Sequence, residues 1–484
     1  MIRKVLIANR GEIAVRIMQT LQPMGIGTVA VYSDADRDAP HVALAAEAFH
    51  LEGVSAADTY LRVDRLLEAA RRFGADAVHP GYGFLSENAA FARACRDAGL
   101  TFIGPAPEVI ELLGDKVRSK EIMRAAGVPV VPSLPSDAVN FDTLGYPLLV
   151  KAAAGGGGKG MRRVDDPRHL ADALAAASRE AEKAFGNGQV FVEKYIEHPR
   201  HIEFQIFGDD QGRVIDLHER ECSIQRRHQK VVEETPSPAL TPGLRARMAE
   251  AAVKAGQAVR YTNAGTVEFI VDADGSFYFL EVNTRLQVEH PITEWVLAED
   301  LVRAQIRVAQ GEPLPFDNPT PRGHALECRI YAEEPARSFL PSTGTVQCYR
   351  PPQAPWVRVD TGIEKGSDIG VHYDPMIAKL SVWGPDRSVA LERMRWALDQ
   401  YVVLGVSHNI PFLRRLMDEP DFIAGRLHTQ FIDTHPDLLK TPPGPDDDTL
   451  LVAALAFSTG GAARAVEVPS AGGPFEWAGG WRNT

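Results

Sequence analysis

The sequence has few cysteines, no long apolar run and no excess of basic residues. Its 484 residues include only four cysteines, none in a CxxC pair, which argues against a disulfide framework or a thiolate zinc site. The longest apolar run, residues 450–457, is far shorter than the ~20 residues that a membrane span needs. The N-terminal run, residues 5–8, is too short for a signal peptide. We therefore expect a cytoplasmic protein that does not bind a membrane.

The charge balance bears on the class of partner. Asp and Glu number 64 and Lys and Arg number 52, so that the formal net charge is −12. Such a charge repels a phosphate backbone, and nucleic acid is not expected as a partner. Apolar residues make up 45% and charged residues 24%, which is typical of a folded protein, and the length predicts about three domains.

Strands and helices alternate over residues 1–110. The short apolar runs lie at residues 4–8, 28–32, 75–79 and 100–103, with helical patterns between them. This alternation predicts an α/β fold with a doubly wound parallel sheet. The first turn, Asn9-Arg10-Gly11-Glu12, lacks the GxGxxG pattern, so we interpret it as scaffold rather than as a dinucleotide site.

Proline-rich and polar stretches divide the rest of the chain. Residues 111–131 are predicted to be a helical linker, and residues 132–200 a compact unit of strands, a glycine tract and an alanine-rich helix. Strands dominate residues 201–322, where Asp272-Ala273-Asp274-Gly275 indicates a hairpin. Residues 323–440 are predicted to continue with strands and one strong helix, and residues 441–484 have the composition of a linker and tail, without an assigned function.

A glycine tract between two predicted strands is the most conspicuous local feature. Consecutive glycines let backbone amides approach a polyphosphate closely. A Rossmann site is disfavoured because residues 161–164 continue as a strand, and a Walker A loop is excluded because Gly160 takes the place of the Ser or Thr. The tract suits a flap over nucleotide phosphates, with Lys151 and Lys116 as phosphate ligands. A loose surface turn with solvated lysines is the alternative.

Two carboxylates lie near the ends of the hairpin strands. Glu281 and Asn283 share one face of a strand, and pairing across the hairpin can bring Glu268 beside them. Facing carboxylates repel unless a cation lies between them, and oxygen ligands favour Mg²⁺ carried in with ATP. Exposed acidic hairpin residues are the alternative.

A guanidinium and a third carboxylate follow directly. Arg285 can hold a planar oxyanion through two parallel hydrogen bonds, and Glu289 can act as a base on that anion. The basic run at residues 225–230 lacks the interleaved aromatic residues of a nucleic-acid patch. We interpret it as an anion-binding wall of the same site.

Taken together, long stretches resemble biotin carboxylase, an ATP-grasp enzyme, and the biotin carboxylase part of acyl-CoA carboxylase α subunits of the methylcrotonyl-, propionyl- or acetyl-CoA type. They follow one another in the expected order within residues 1–440. Besides the glycine flap they are IANRGEIA (7–14), HPGYGFLSEN (79–88), QRRHQKVVEE (225–234), EVNTRLQVEHP (281–291), ECRI (327–330) and YDPM (373–376).

The resemblance names the predicted units. It implies an N-terminal Rossmann-like biotin carboxylase domain with a doubly wound parallel sheet, an ATP-grasp lid that carries the glycine flap, an ATP-grasp core, and a C-terminal mixed α/β biotin carboxylase domain. Their expected limits, with the linker and the tail, are 1–110, 111–131 (linker), 132–200, 201–322, 323–440 and 441–484 (tail).

The resemblance also implies the site residues. ATP would contact Lys116, Lys151, Gly155, Gly156, Gly157, Gly158, Gly160, Glu193, Lys194, His201, Gln225 and His228. The metal would be held by Glu268, Glu281 and Asn283. Bicarbonate would be surrounded by Lys230, Arg285, Gln287, Val288 and Glu289, with Glu289 as its base. Biotin would face Tyr82 and Arg329, and catalysis would rest on Glu289, Arg285, Lys230 and Arg329.

The implied activity is that of a ligase. Bicarbonate attacks the γ-phosphate of ATP, with Mg²⁺ or Mn²⁺ as the metal, to give carboxyphosphate, which yields CO2 and phosphate. Biotin on a carrier, deprotonated at N1, then captures the CO2, and this is the first half-reaction of an acyl-CoA carboxylase. The expected partners are a biotin carboxyl carrier domain or protein, a carboxyltransferase subunit, and a second copy of the chain or a larger carboxylase assembly.

The chain departs from the family pattern in two places. The flap begins Ala153-Ala154-Gly155, where some free-standing biotin carboxylases have serine and a further glycine, and an Ala-Met-Lys-Met biotinylation motif is not present. We therefore expect the biotin to be carried by another domain or chain, and the acyl-CoA specificity to lie in a separate carboxyltransferase. The closing Gly-Gly-Trp-Arg-Asn resembles the start of the region that follows the carboxylase in methylcrotonyl- and geranyl-type α subunits.

Two other functions compete with this hypothesis. Another ATP-grasp ligase, such as one that makes carbamoyl phosphate, would share the flap and the metal carboxylates but would have no reason to carry Tyr82 and Arg329. A catalytically inactive nucleotide-binding module predicts the loss of Glu281, Arg285 or Glu289, and all three are present.

Overall fold

The structure, a computed structural model, describes residues 1–153, 161–227, 229–316 and 319–440. The N-terminal alternation of apolar runs and helical patterns forms a five-stranded parallel sheet with helices between the strands. Its elements are β1 (Lys4–Ile7), α1 (Gly11–Leu21), β2 (Gly27–Tyr32), α2 (Pro40–Leu44), β3 (Glu47–His50), α3 (Val63–Phe73), β4 (Ala77–His79), α4 (Ala89–Asp97) and β5 (Thr101–Phe102). The strand order β3-β2-β1-β4-β5 confirms the predicted doubly wound sheet.

The sequence pattern did not predict strand β3. Only Ala48 and Phe49 of its four residues are apolar, so it lacks the continuous apolar run of a strand covered on both faces. It forms because its backbone pairs in parallel with β2, from Glu47 opposite Val29 to His50 opposite Tyr32, and because Phe49 is buried.

Two helices replace the single predicted helical linker. They are α5 (Pro107–Gly114) and α6 (Lys116–Ala125). The break falls at Asp115, whose side chain accepts hydrogen bonds from the backbone N–H groups of Val117 and Arg118, both at 3.0 Å, and so caps α6. The chain beyond α6 is extended and includes Pro129 and Pro132, which cannot donate helix hydrogen bonds.

A four-stranded antiparallel sheet follows. It consists of β6 (Ser133–Pro135), β7 (Leu148–Ala152), β8 (Arg162–Val164) and β9 (Val190–Lys194), in the order β6-β9-β7-β8, with α7 (Leu170–Phe185) beside it. The predicted return strand after the glycine tract is confirmed as β8, which pairs with β7. The flap residues Gly155, Gly156, Gly157, Gly158 and Gly160 lie outside the described residues.

An eight-stranded antiparallel sheet carries most of the predicted site. Its strands, in sheet order, are β14 (Phe277–Asn283), β13 (Asn263–Val271), β10 (Arg200–Gly208), β11 (Val214–Arg226), β12 (Gln229–Thr235), β15 (His324–Tyr331), β22 (Met376–Gly384) and β20 (Val357–Thr361). The hairpin predicted at residues 272–275 joins β13 to β14. Because the sheet continues from β12 to β15, it crosses the domain limit expected at residue 322, and the domain limits stay predictions.

The remaining elements are helices and short strands. The helices are α8 (Pro242–Ala258), α9 (His290–Leu297), α10 (Leu301–Ala309), α11 (Arg387–Gln400), α12 (Ile410–Leu416), α13 (Pro420–Ile423) and α14 (Phe431–Thr434). The short strands are β16 (Glu333–Glu334), β17 (Leu340–Pro341), β18 (Gly344–Thr345), β19 (Cys348–Arg350), β21 (Asp368–Ile369) and β23 (Val402–Leu404). No helix among the described residues is long and apolar enough to cross a membrane. The predicted tail, residues 441–484, lies outside the described part of the chain.

Candidate active site

Polar and apolar side chains alternate along the central strands of the eight-stranded sheet. The apolar side chains of β10 pack with those of α8: Ile202, Phe204 and Ile206. Because successive side chains of a strand point to opposite faces, the buried polar residues lie on the other face: His201, Glu203 and Gln205. On β13, Glu268 lies opposite Glu203 in the register. The face turned away from α8 therefore collects buried charges.

Lys230, on β12, is the cation at the centre of this face. Its Nζ donates to Glu268 Oε1 at 2.8 Å and to Glu289 Oε1 at 2.7 Å, and it also contacts Glu203. Burial alone would lower the pKa of Lys230, but the three carboxylates outweigh it and hold this pKa well above its usual value. Lys230 is therefore a permanent positive charge in the site.

Glu289 immediately precedes α9 and is fully buried. Its Oε2 accepts a hydrogen bond at 3.0 Å from Nη2 of Arg329, which reaches it from β15. Burial alone would raise the pKa of Glu289, but Lys230, Arg329 and the nearby Arg220 hold it far below its usual range. Glu289 is thus a carboxylate between two cations.

Two site residues that the sequence patterns did not single out are Glu203 and Arg220. Arg220 Nε donates to Glu203 Oε1 at 2.6 Å, and the two residues lie opposite each other on β10 and β11. Further hydrogen bonds from Arg220 reach Gln205, Thr266 and Thr293. The signal that could have found Glu203 is its place as an acidic residue between Ile202 and Phe204 in a buried strand.

Replacing Arg220 with methionine is expected to lower the free energy of unfolding by about 3–5 kcal/mol, because Glu203 then keeps a buried charge with one cation fewer. Chemical denaturation followed by circular dichroism measures this change. The matched control is Arg247→Met on α8, where the side chain is exposed and the expected change is below about 0.5 kcal/mol. A loss below about 1 kcal/mol for the Arg220 variant would contradict the prediction.

The hairpin places the predicted metal ligands together. Glu268 and Glu281 lie directly opposite each other in the β13–β14 register, and Asn283 Nδ2 donates to Glu268 Oε1 at 2.9 Å. Cations already face both carboxylates: Lys230 contacts Glu268, and Lys116 Nζ lies 3.5 Å from Glu281 Oε2. Facing carboxylates that need positive charge fit a hard divalent cation such as Mg²⁺. Their role as ligands stays a prediction.

Arg285 lies on the loop between β14 and α9 and is held by a residue that the predicted site did not include. Its Nε donates to Glu87 Oε2 at 2.9 Å, and its Nη2 donates to Asn283 Oδ1 at 3.0 Å. Glu87 also accepts a hydrogen bond from the Thr284 backbone N–H at 3.1 Å. Glu87 belongs to the HPGYGFLSEN stretch, so the motif that carried the family resemblance contained it.

The residues predicted to contact ATP form two groups in the structure. Gln225 Nε2 lies 2.8 Å from His201 Nδ1, and His201 Nε2 lies 3.1 Å from Glu268 Oε2, so both join the Lys230 network. Lys151 on β7 donates to Glu193 on β9 at 3.0 Å.

Two further residues predicted to contact ATP and two predicted to surround bicarbonate remain to be located. Lys194 is exposed at the end of β9, and His228 lies outside the described residues. Gln287 Nε2 donates to Glu268 Oε1 at 3.1 Å and so joins the Lys230 network. The Val288 carbonyl accepts from Lys379 Nζ at 3.1 Å.

A cavity of about 580 Å³ is lined in part by Arg329, whose guanidinium donates to the buried Glu289. Its walls include the predicted biotin residues and part of the predicted bicarbonate set: Tyr82, Arg285, Val288 and Arg329. Arg329 Nε donates to Glu233 Oε1 at 2.6 Å, which fixes the guanidinium in the cavity wall. The Tyr82 hydroxyl is buried without a hydrogen-bond partner among the described residues. Such a cavity, mixed in polarity and edged by fixed charges, suits a small polar substrate.

Three protein-family models match the chain. They are the biotin carboxylase N-terminal domain over residues 1–110, the carbamoyl-phosphate synthase L chain ATP-binding domain over residues 115–316, and the biotin carboxylase C-terminal domain over residues 327–434.

Curated relatives match over most of the chain. It is 50% identical over 438 residues to the biotin carboxylase of Nostoc sp., covering 89% of this chain and 98% of that protein. It is 53% identical over 445 residues to the mitochondrial methylcrotonoyl-CoA carboxylase subunit alpha of Arabidopsis thaliana, covering 90% of this chain and 61% of that protein. The chain thus spans about three fifths of the length of this α subunit.

Solved structures share the fold. The biotin carboxylase domain dimer of Hydrogenobacter thermophilus 2-oxoglutarate carboxylase, in complex with MgADP, ADP and bicarbonate, has a TM-score of 0.87 and 47% identity, covering 92% of this chain and 100% of that chain. A biotin carboxylase–nucleotide complex from Campylobacter jejuni has a TM-score of 0.87 and 42% identity, covering 90% of this chain and 99% of that chain.

An ATP-binding unit flanked by two biotin carboxylase domains defines an ATP-dependent carboxylating ligase as the class of this protein. The relatives then decide the family. Because a biotin carboxylase matches over nearly its whole length at 50% identity, the chain belongs to the biotin carboxylase family. The predicted family, fold class and enzyme class are confirmed, whereas the roles of individual site residues stay predictions.

Proposed function

We propose that this chain carries the ATP-dependent carboxylation of biotin with bicarbonate through carboxyphosphate, with the residue roles set out below. One observation carries these roles. Glu289, a buried carboxylate, is held between Lys230 and Arg329, and Arg329 lines a cavity together with Arg285 and Tyr82. This arrangement offers fixed cations for an anionic substrate and a base beside them.

The anion-binding residues act on bicarbonate. Lys230 and Arg285 hold its negative charge, and Gln287 and the backbone of Val288 lie beside them. Glu289 accepts the bicarbonate proton as a bicarbonate oxygen attacks the γ-phosphorus of ATP and the bond to ADP breaks. Fixed positive charges stabilise the transferring phosphoryl group, which is the largest contribution to catalysis in reactions of this kind.

The nucleotide is held by the residues at the end of the hairpin and on the lid sheet. Glu268, Glu281 and Asn283 would hold Mg²⁺, which, when bound, neutralises charge on the nucleotide phosphates. Lys116 and Lys151 provide two of the charges for the same phosphates. The MgADP and bicarbonate in the Hydrogenobacter neighbour support ATP, Mg²⁺ and bicarbonate as ligands of this chain.

Biotin enters on the side of Tyr82 and Arg329. The phosphate released from carboxyphosphate accepts the proton of biotin N1. Negative charge then spreads to the ureido oxygen, and Arg329 stabilises that charge. N1 then attacks the CO2 that carboxyphosphate released. The C-terminal biotin carboxylase domain match over residues 327–434 supports this side of the site, because a carbamoyl-phosphate-type ligase would not need it.

The family names support proposals on partners. Biotin on a separate carrier, a carboxyltransferase subunit and a homodimer or larger carboxylase assembly are proposed because the relatives include methylcrotonoyl-CoA carboxylase alpha subunits and because one structural neighbour is a dimer. The methylcrotonyl-CoA type is the favoured acyl-CoA carboxylase. A cytoplasmic location is the corresponding proposal, although several relatives are mitochondrial forms.

Phosphate release from MgATP tests the function directly. We expect ATP turnover that requires bicarbonate, and we expect free biotin to stimulate it with the formation of carboxybiotin. If ATP is hydrolysed with bicarbonate but free biotin is not carboxylated, a biotinylated carrier domain is added next. Carboxylation of that carrier supports the proposal, and its failure supports a different ATP-grasp ligase.

A further inference from the structure

Lys120 is a buried lysine that the proposed site does not yet use. It lies on α6, one helical turn after Lys116, and its side chain is 9% exposed. Its Nζ contacts Glu193 and lies 4.9 Å from the centre of the Phe191 ring. Glu193 and Phe191 both belong to β9, so Lys120 connects α6 to the four-stranded sheet.

Glu193 is shared between two lysines. Lys120 contacts its Oε1, and Lys151 Nζ donates to its Oε2 at 3.0 Å. These are the two side chains that donate to Glu193 within the described ranges. Residue 149 lies opposite Glu193 in the β7–β9 register, so Lys151 is its diagonal neighbour on the same face. Both oxygens of a carboxylate that is 2% exposed are thereby neutralised.

We propose that Lys120 is a positioning residue for ATP, which keeps Glu193 neutralised when Lys151 turns from Glu193 to the nucleotide phosphates. The proposal rests on the proposed function, because Lys151 has phosphates to contact only if the chain binds ATP. A buried carboxylate without a neighbouring cation is strongly destabilised, because its charge is no longer solvated or paired. With Lys120 in place, Lys151 can leave Glu193 without that destabilisation.

The geometry of α6 supports separate roles for Lys116 and Lys120. Lys116 and Lys120 share one face of the helix at a spacing of four residues. Lys116 Nζ lies 3.5 Å from Glu281, at the proposed metal site, whereas Lys120 points to Glu193. One helix thus supplies one cation to the metal side of the nucleotide and a second cation to the carboxylate that holds Lys151.

Removal of the Lys120 charge tests the proposal through the apparent affinity for ATP. In Lys120→Met, Lys151 is the remaining cation on Glu193 and is held back from the phosphates. The KM for ATP in bicarbonate-dependent turnover is therefore expected to rise by about tenfold, with kcat at saturating ATP within about threefold of wild type. Lys120→Arg keeps the charge and is expected to restore most of the affinity. Arg118→Met, an exposed cation on the same helix, is the matched control.

A double-mutant cycle separates positioning from a merely structural role. In a Glu193→Gln background no carboxylate holds Lys151, so adding Lys120→Met is expected to change the KM for ATP by less than about twofold. A tenfold effect in both backgrounds, or a fall in kcat at unchanged KM, would overturn the proposal. Thermal unfolding of each variant shows whether it folds, and if Lys120→Met does not, Lys120→Gln takes its place in the cycle.

The pH dependence gives an independent readout. Burial, opposed by Glu193 and helped by the charges of Lys151 and Lys116, lowers the pKa of Lys120 to about 8. Above pH 8 Lys120 loses its proton, Glu193 keeps Lys151 alone, and the KM for ATP rises. Arginine stays protonated, so Lys120→Arg is expected to remove this rise relative to wild type. Identical profiles for the two proteins would overturn the proposal.

The same measurements distinguish a failure of the proposed function from a failure of the role of Lys120 alone. If the wild-type chain shows neither bicarbonate-dependent ATP turnover nor binding of MgADP by calorimetry, the proposed function fails and the role of Lys120 fails with it. If the wild-type chain turns over ATP but Lys120→Met has an unchanged KM for ATP, the role of Lys120 alone is refuted.

Discussion

Replacing Arg329 with serine is expected to slow biotin carboxylation by about 10²-fold or more, and bicarbonate-dependent ATP hydrolysis by less than about tenfold. The Arg329 guanidinium is fixed in the cavity wall by Glu233 at 2.6 Å and by Glu289 at 3.0 Å. In the proposed mechanism it stabilises the charge on the ureido oxygen of biotin. That charge does not develop while bicarbonate attacks ATP, so the two rates separate.

The separation of rates is measured on one preparation. Phosphate release with bicarbonate and without biotin gives the first rate, and carboxybiotin formation gives the second. Arg329→Lys keeps the charge but loses the planar fork that contacts both glutamates, so an intermediate loss of carboxylation is expected. Arg247→Ser, at an exposed arginine of α8, is the matched control. Equal losses of both rates in Arg329→Ser would exclude the assigned role.

The positions of strands along the sequence could be predicted where each strand has its own apolar run. β1, β2, β4 and β5 have such runs, and the hairpin that joins β13 to β14 has its own turn residues. The order of strands in the eight-stranded sheet could not be predicted, because β12 pairs with β15 across about ninety residues of sequence. Such pairing depends on burial across the whole sheet rather than on local pattern.

The same distinction holds for the site. Glu281, Asn283, Arg285 and Glu289 lie within nine residues of each other, so one segment of sequence was sufficient to associate them. Lys230 was associated with them by the basic run around it and by the family resemblance.

Two of the residues that were not predicted are single charges without a local sequence pattern. Glu203 lies between Ile202 and Phe204, and Lys120 lies in a helix with several other cations. Neither has a local pattern, and only the tertiary contacts of Glu203 with Arg220 and of Lys120 with Glu193 distinguish them.

The buried charges around Lys230 orient one another rather than stabilise the fold. Buried ion pairs of this kind contribute little net stability, because desolvation offsets their attraction. They do fix the orientation of each charge before a substrate arrives, and fixed charges are more effective than water at stabilising a transition state. Glu203 and Arg220 pair in the fully buried part of the network, whereas Arg329, which donates to Glu289, connects the network to the cavity wall.

Replacing Glu289 with glutamine is expected to slow bicarbonate-dependent ATP hydrolysis and biotin carboxylation together, each by about 10²–10⁴-fold. Lys230 and Arg329 hold the pKa of Glu289 far below its usual range, so the residue is ionised before bicarbonate binds. A bound bicarbonate anion adds a like charge beside it, which raises that pKa and makes Glu289 a better proton acceptor at the moment it is needed. Glutamine cannot accept the proton, so in the proposed mechanism carboxyphosphate forms much more slowly.

The pattern of losses distinguishes Glu289 from Arg329. In Glu289→Gln both rates are expected to fall, and MgADP binding, measured by calorimetry, is expected to stay within about threefold of wild type, because the proposed nucleotide contacts lie on Lys116, Lys151 and the hairpin carboxylates. Glu250→Gln, at an exposed glutamate of α8, is the matched control. Bicarbonate-dependent turnover within about tenfold of wild type would show that Glu289 is not the base, since a general base contributes more than that. Loss of MgADP binding would show instead that the substitution disturbs the nucleotide site.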